Sequence, residues 1–99
     1  MVKHIVAWNF KKELSFQENY NHAKLVKEEL EGLKDKIKEI ITIEVIIDPL
    51  RSGSFDVILL SEFDSVETLE AYQVHKEHLR VSRFVGSVLT NRKCIDYEM

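Results

Sequence analysis

Two stretches of this chain are apolar on both sides of an extended backbone, and that limits its fold more than any other feature. In residues 39–47, Ile41, Ile43, Val45 and Ile47 alternate with Ile40 and Ile46; in residues 55–63, Val57 and Leu59 alternate with Ile58 and Leu60. Successive side chains of a strand point to opposite faces, so a sheet that is wet on one side alternates apolar with polar residues. These stretches do not alternate in that way. The sheet they build needs an apolar partner on each face.

The rest of the chain supplies a partner for only one face. Residues 2–11 set Val2, His4, Val6, Trp8 and Phe10 against Lys3, Ile5, Ala7, Asn9 and Lys11, the period-two pattern of a first strand. Ser15, three residues before Glu18, forms a capping box that opens a helix. Phe16, Tyr20, Ala23, Val26, Leu30, Leu33 and Ile37 give that helix one apolar stripe, and Gly32 loosens its last turns. The β-branched run 39–47 stops at Asp48-Pro49, because proline cannot donate to a ladder, and a loop carrying Arg51 and Gly53 leads to the third strand at 55–63.

Asp64 or Ser65 caps a second helix, with Asp64 and Glu67 as a second capping box. This helix bends or breaks around His75 before running on toward Gly86, and residues 91–98 read as a fourth strand. The order βαββαβ predicts an α+β, ferredoxin-like fold in which a four-stranded antiparallel sheet carries two helices on one face. The face left bare predicts a homodimer packed sheet to sheet. With Pro49 the only proline and three scattered glycines among 99 residues, nothing divides the chain, and residues 1–99 are expected to form one domain.

Charge and composition exclude several function classes. The net charge is −3 and the lysines sit among acidic neighbours, as in Lys34-Asp35-Lys36-Ile37-Lys38-Glu39, so no basic stripe offers itself to nucleic acid. No apolar run approaches the roughly 20 residues that cross a bilayer. A single cysteine, Cys94, cannot form an internal disulfide, and Met1-Val2-Lys3-His4 lacks the apolar run of a signal peptide; a cytoplasmic protein is expected. Cys94 reads as a small buried apolar residue.

The chemistry-bearing feature is Tyr72-Gln73-Val74-His75-Lys76-Glu77-His78. On a continuous helix Tyr72, His75 and His78 fall along one side, close enough to act on one ligand. The plainer account has each histidine cap a helix break or donate to a backbone carbonyl, and Tyr72 pack in the core with its hydroxyl bonded. A histidine on an interior strand face is more often a satisfied core group, but His4 shares its face with Trp8 and could reach a ligand between sheet and helices, so His4, Trp8 and His75 are the candidate pocket-lining residues. Arg51 on its loop could edge a pocket or simply be solvated. A metal held by His75 and His78 would need a further ligand such as Glu77, so no metal is expected. No Gly-rich phosphate loop or nucleophile elbow occurs, and no cofactor is expected.

Val2-Lys3-His4-Ile5-Val6, Ser61-Glu62-Phe63, the Tyr72–His78 stretch and Asp96-Tyr97-Glu98 together resemble the stress-responsive A/B barrel (Dabb) family over nearly the whole chain. The resemblance implies a dimeric α+β barrel. A plant cyclase of the family closes a polyketide chain by a cofactor-free aldol condensation, and its catalytic tyrosine and histidine match Tyr72 and His78, its first-strand histidine His4. Lys76 stands where proline is usual between the two histidines. The resemblance thus implies catalysis by His78 and Tyr72 on a small, hydrophobic, oxygen-bearing ligand, in cyclase-like or lyase-like acid–base chemistry beside a carbonyl. The other classes are a non-catalytic stress-induced dimer and, on fold analogy alone, a cofactor-free monooxygenase using Trp8 and Asn9.

Overall fold

Strand β1 (Val2–Asn9) turns its alternation directly into burial: Val2, His4, Val6 and Trp8 are buried, while Lys3, Ile5, Ala7 and Asn9 are only partly covered. The computed structural model describes residues 1–99 and continues with helix α1 (Phe16–Gly32), a 3-10 turn (Leu33–Asp35), strands β2 (Thr42–Ile46) and β3 (Val57–Phe63), helices α2 (Val66–Val74) and α3 (Lys76–Val88), and strand β4 (Thr90–Glu98). The strands form one antiparallel sheet in the order β2-β3-β1-β4, the ferredoxin-like arrangement. No helix is long and apolar enough to cross a membrane.

Register assigns the faces. Val2, His4, Val6 and Trp8 stand opposite Phe63, Ser61, Leu59 and Val57, and all eight are buried beneath the helices. The helices complete that core with Ala23, Val26 and Leu30 from α1, Leu69 and Tyr72 from α2, and Val81 and Val85 from α3. On the other face Ile5 pairs with Leu60 and Ile95, and Ala7 with Ile58, and no element of the chain lies over them.

Several boundaries differ from the sequence reading. β1 ends at Asn9, where the Asp56 carboxylate takes the Phe10 N–H and the Asn9 side-chain amide and so turns the chain. β2 is shorter than 39–47 because Ile37 and Ile40 are buried from the turn that precedes it. The Ser15–Glu18 box opens α1, whose buried stripe begins at Asn19; Phe16 is 69% exposed and stacks on Tyr20. Asn19 instead bonds the backbone of Lys11 and locks the β1–α1 loop. Ser65 caps α2 with Thr68 as its reciprocal partner, so the Asp64–Glu67 box is not used. Cys94 is exposed, contrary to its reading as a buried residue, because β4 is an edge strand with nothing beyond it.

Candidate functional site

The helix breaks at His75, whose backbone is extended at φ −64°, ψ 136°. Its ring caps the next helix, Nδ1 accepting the Glu77 N–H at 3.1 Å, and Lys76 takes the first helical position that proline commonly fills. The break thus survives without proline. It also overturns the continuous helix face: His75 is spent on capping and does not line the cavity beside Tyr72, whereas Tyr72 and His78 do.

The break folds His78 back over Tyr72, with ring centroids 4.3 Å apart. Tyr72 is fully buried and also touches Phe63 at 4.9 Å and His4 at 6.2 Å between centroids. Beside these rings lies a cavity of about 270 Å³. Val6, Trp8, Leu30, Leu59, Val85 and Leu89 form its apolar walls, and His4, Tyr72, His78 and Arg92 its titratable groups. His4, Trp8, Tyr72 and His78 thus all line one cavity. Arg51 does not; it edges a separate hollow with Phe10, Phe16 and Tyr20.

Hydrogen bonding fixes the proton positions. The His78 Nδ1 lies 3.0 Å from the Gln73 carbonyl, which can only accept, so neutral His78 carries its proton there and keeps its lone pair on Nε2. The same logic holds for His4, whose Nδ1 donates to the Asp96 carboxylate at 2.5 Å. Burial holds the His78 imidazole below its ordinary pKa, and positive charge at His4, Arg92 and His75 lowers it further, against the opposing pull of the Gln73 carbonyl. Burial pushes the Tyr72 phenol well above its ordinary value, with Arg92 offsetting a little. At neutral pH the pair is thus a neutral imidazole base and a phenol that keeps its proton. The Tyr72 hydroxyl has no hydrogen-bond partner within the protein, which costs about 1–3 kcal/mol for a buried donor.

Strand β4 supplies the groups that sequence reasoning passed over. Asp96 orients His4, and Arg92 brings a cation to the cavity. The Cys94 thiol, raised by burial and by the Asp96 charge, lies 3.8 Å from His4 Nδ1 and 3.6 Å from Asp96. His4, Cys94 and Asp96 are the one cluster with donor atoms close enough for a metal, all within 4.8 Å. The His4–Asp96 hydrogen bond already accounts for most of that closeness. The signal for Asp96 was its register opposite His4, which needs the strand pairing and not the sequence alone.

Among curated protein sequences none matches the chain. Among solved structures it is similar to a dimeric protein of unknown function with a ferredoxin-like fold from Bacteroides fragilis NCTC 9343, at 31% identity and a TM-score of 0.90, covering 99% of this chain and 95% of that one. A dimeric ferredoxin-like protein of unknown function from Thermobifida fusca YX follows at 19% identity and a TM-score of 0.82, covering 99% and 90%. A hydroxynitrile lyase from Passiflora edulis shares the fold at 17% identity and a TM-score of 0.81, covering 99% and 92%. The model of the stress responsive A/B barrel domain matches residues 2–99, and the chain belongs to that family.

Proposed function

We propose that this chain is a homodimeric stress-responsive A/B barrel protein whose cavity binds a small carbonyl compound and supports cofactor-free acid–base chemistry on it. The observation that carries the reading is the Tyr72–His78 pair: an imidazole held neutral with a free Nε2, and an unpartnered buried hydroxyl, both on one partly apolar cavity. His78 Nε2 takes the proton from the carbon next to the carbonyl, the electron pair moves onto the carbonyl oxygen, and the Tyr72 O–H donates to the enolate that forms. The enolate then adds to a second carbonyl, expels a leaving group or is reprotonated by the His78 imidazolium, which covers cyclase-like, lyase-like and isomerase-like outcomes. His4, fixed by Asp96, positions the ligand from the β1 side. Homodimerisation is supported by the bare apolar sheet face and by the dimeric relatives.

The competing reading is a non-catalytic dimer, and it draws support from the capping bond of His75 and the carbonyl bond of His78. Deuterium exchange at the α-carbon of a panel of 1,3-dicarbonyl compounds, followed by NMR, separates the two. Wild type should accelerate exchange for at least one compound, and His78→Ala should lose that acceleration by about 10²–10⁴-fold while keeping its melting temperature within a few degrees. Tyr72→Phe should slow it less. A His78→Ala protein that exchanges as fast as wild type, or that loses only stability, rejects the catalytic reading.

A further inference from the structure

We propose that Arg92, turned into the cavity by a bulge at the start of β4, holds an anionic group of the ligand, so that the cavity takes carbonyl compounds carrying a carboxylate on an apolar body. This rests on the small-molecule reading above and adds the ligand's charge to it.

A regular strand cannot present three consecutive residues to one cavity, because alternation sends every second side chain to the other face. Thr90, Asn91 and Arg92 nevertheless all line it. The β1–β4 register gives the cause: Ala7 stands opposite Lys93 and Asn9 opposite Thr90, which leaves Asn91 and Arg92 facing Trp8 alone. Asn91 sits at φ 55°, the left-handed region that asparagine tolerates better than most residues. Its side chain secures the bulge, Nδ2 donating to Asn9 Oδ1 at 2.7 Å and Oδ1 accepting from Lys93 Nζ at 3.2 Å. Bulges re-aim side chains, and backbone strain of this kind persists where the surroundings hold it.

The cation delivered there has no carboxylate partner; its one side-chain neighbour of note is the neutral Cys94 thiol. Five ion pairs form on Lys3, Lys27, Lys36 and Arg80, and Arg92 belongs to none. No aspartate or glutamate lines the cavity, and Asp96 is engaged by His4. A guanidinium offers a planar pair of donors that fits a carboxylate, while Val6, Trp8 and Leu59 accept an apolar body. The arrangement puts the ligand's anionic end at β4 and leaves its carbonyl for Tyr72 and His78.

Trp8, the only tryptophan, lines the cavity and reports occupancy by its fluorescence. Octanoate and octanamide match in shape and differ in charge at neutral pH. Wild type should bind octanoate about tenfold more tightly than octanamide, the margin of one charge-assisted bond. Arg92→Gln should bring octanoate down to the level of octanamide, and Arg92→Lys should retain part of the preference; Arg92 is exposed, and circular dichroism checks that each variant is folded. Equal binding of the two compounds to wild type, or a preference that survives Arg92→Gln, overturns the assignment of charge while leaving the cavity reading intact. If neither compound alters Trp8 fluorescence, the small-molecule reading falls together with it.

Discussion

Leu59 and Leu60 are neighbours on β3 and chemically identical, yet Leu59 is 3% exposed and Leu60 37%. The same split runs across the sheet. The face bearing Val6, Val45, Val57 and Leu59 lies beneath three helices, whereas the face bearing Ile5, Ile58, Leu60 and Ile95 has no helix over it and is bordered only by the loop of residues 49–55. Local sequence treats the two faces almost alike, so the difference in burial comes from topology. A βαββαβ chain has helical cover for one side only, and the second apolar side is left without it. The contrast also locates the candidate chemistry: the cavity lies on the helix side, where burial shifts the titration of Tyr72 and His78, while the outer face carries apolar side chains and the Lys3–Glu62 ion pair.

The largest expected effect is on the covered face. Phe63 is fully buried between His4 and Tyr72, and Phe63→Ala should cost about 3–5 kcal/mol in urea unfolding by opening a void beside the cavity. A loss below about 1 kcal/mol would mean that the helix side is not the dominant core, and the contrast between faces would collapse. Next comes Leu60→Asp on the bare face. In a sheet-to-sheet dimer it buries a carboxylate without a partner, and the dissociation constant should rise by about a hundredfold or more. Sedimentation should then report a monomer with unchanged helical circular dichroism. A Leu60→Asp protein that stays dimeric would move the interface elsewhere.

Much of this contrast was legible in the sequence because period-two alternation is a local property. Ile58 and Leu60 announce a second apolar face whatever the rest of the chain does. The Ser15–Glu18 box was legible for the same reason. What escaped depends on relations between elements. Phe16 matches the helical stripe by spacing, but it lies in the first turn and packs with Phe10 and Tyr20 at the surface. His75 matches the Tyr72–His78 stripe only if the helix continues, and a single extended residue removes it from the cavity. Arg92 is invisible as a site residue because its direction is set by a bulge, which exists only in the pairing of β4 with β1. The candidate site was thus half readable: its aromatic and imidazole groups came from a motif, its charge from register.

The smallest effect is the one that ties burial to chemistry most directly, the pH response of His78. Its folded pKa lies below the ordinary imidazole value of about 6.5, first because it is buried, so the unfolded chain binds the extra proton before the folded one does. Stability therefore rises with pH wherever the unfolded state holds more protons. The His78 contribution is fully present above about pH 6.5, declines as the pH falls from there to the folded pKa, and is flat below it. His78→Gln should remove that part of the acid-side loss, read as the difference in urea midpoint between pH 7.5 and 5.5. Exchange catalysis should persist through that window and fail only as the pH falls through the folded pKa, because His78 in the folded protein stays neutral until then and protonated His78 cannot act as a base. If the midpoint difference is the same in His78→Gln and wild type, His78 is not held neutral by burial. The helix face would then differ from the bare face in packing only, without the control of protonation that a catalytic site needs.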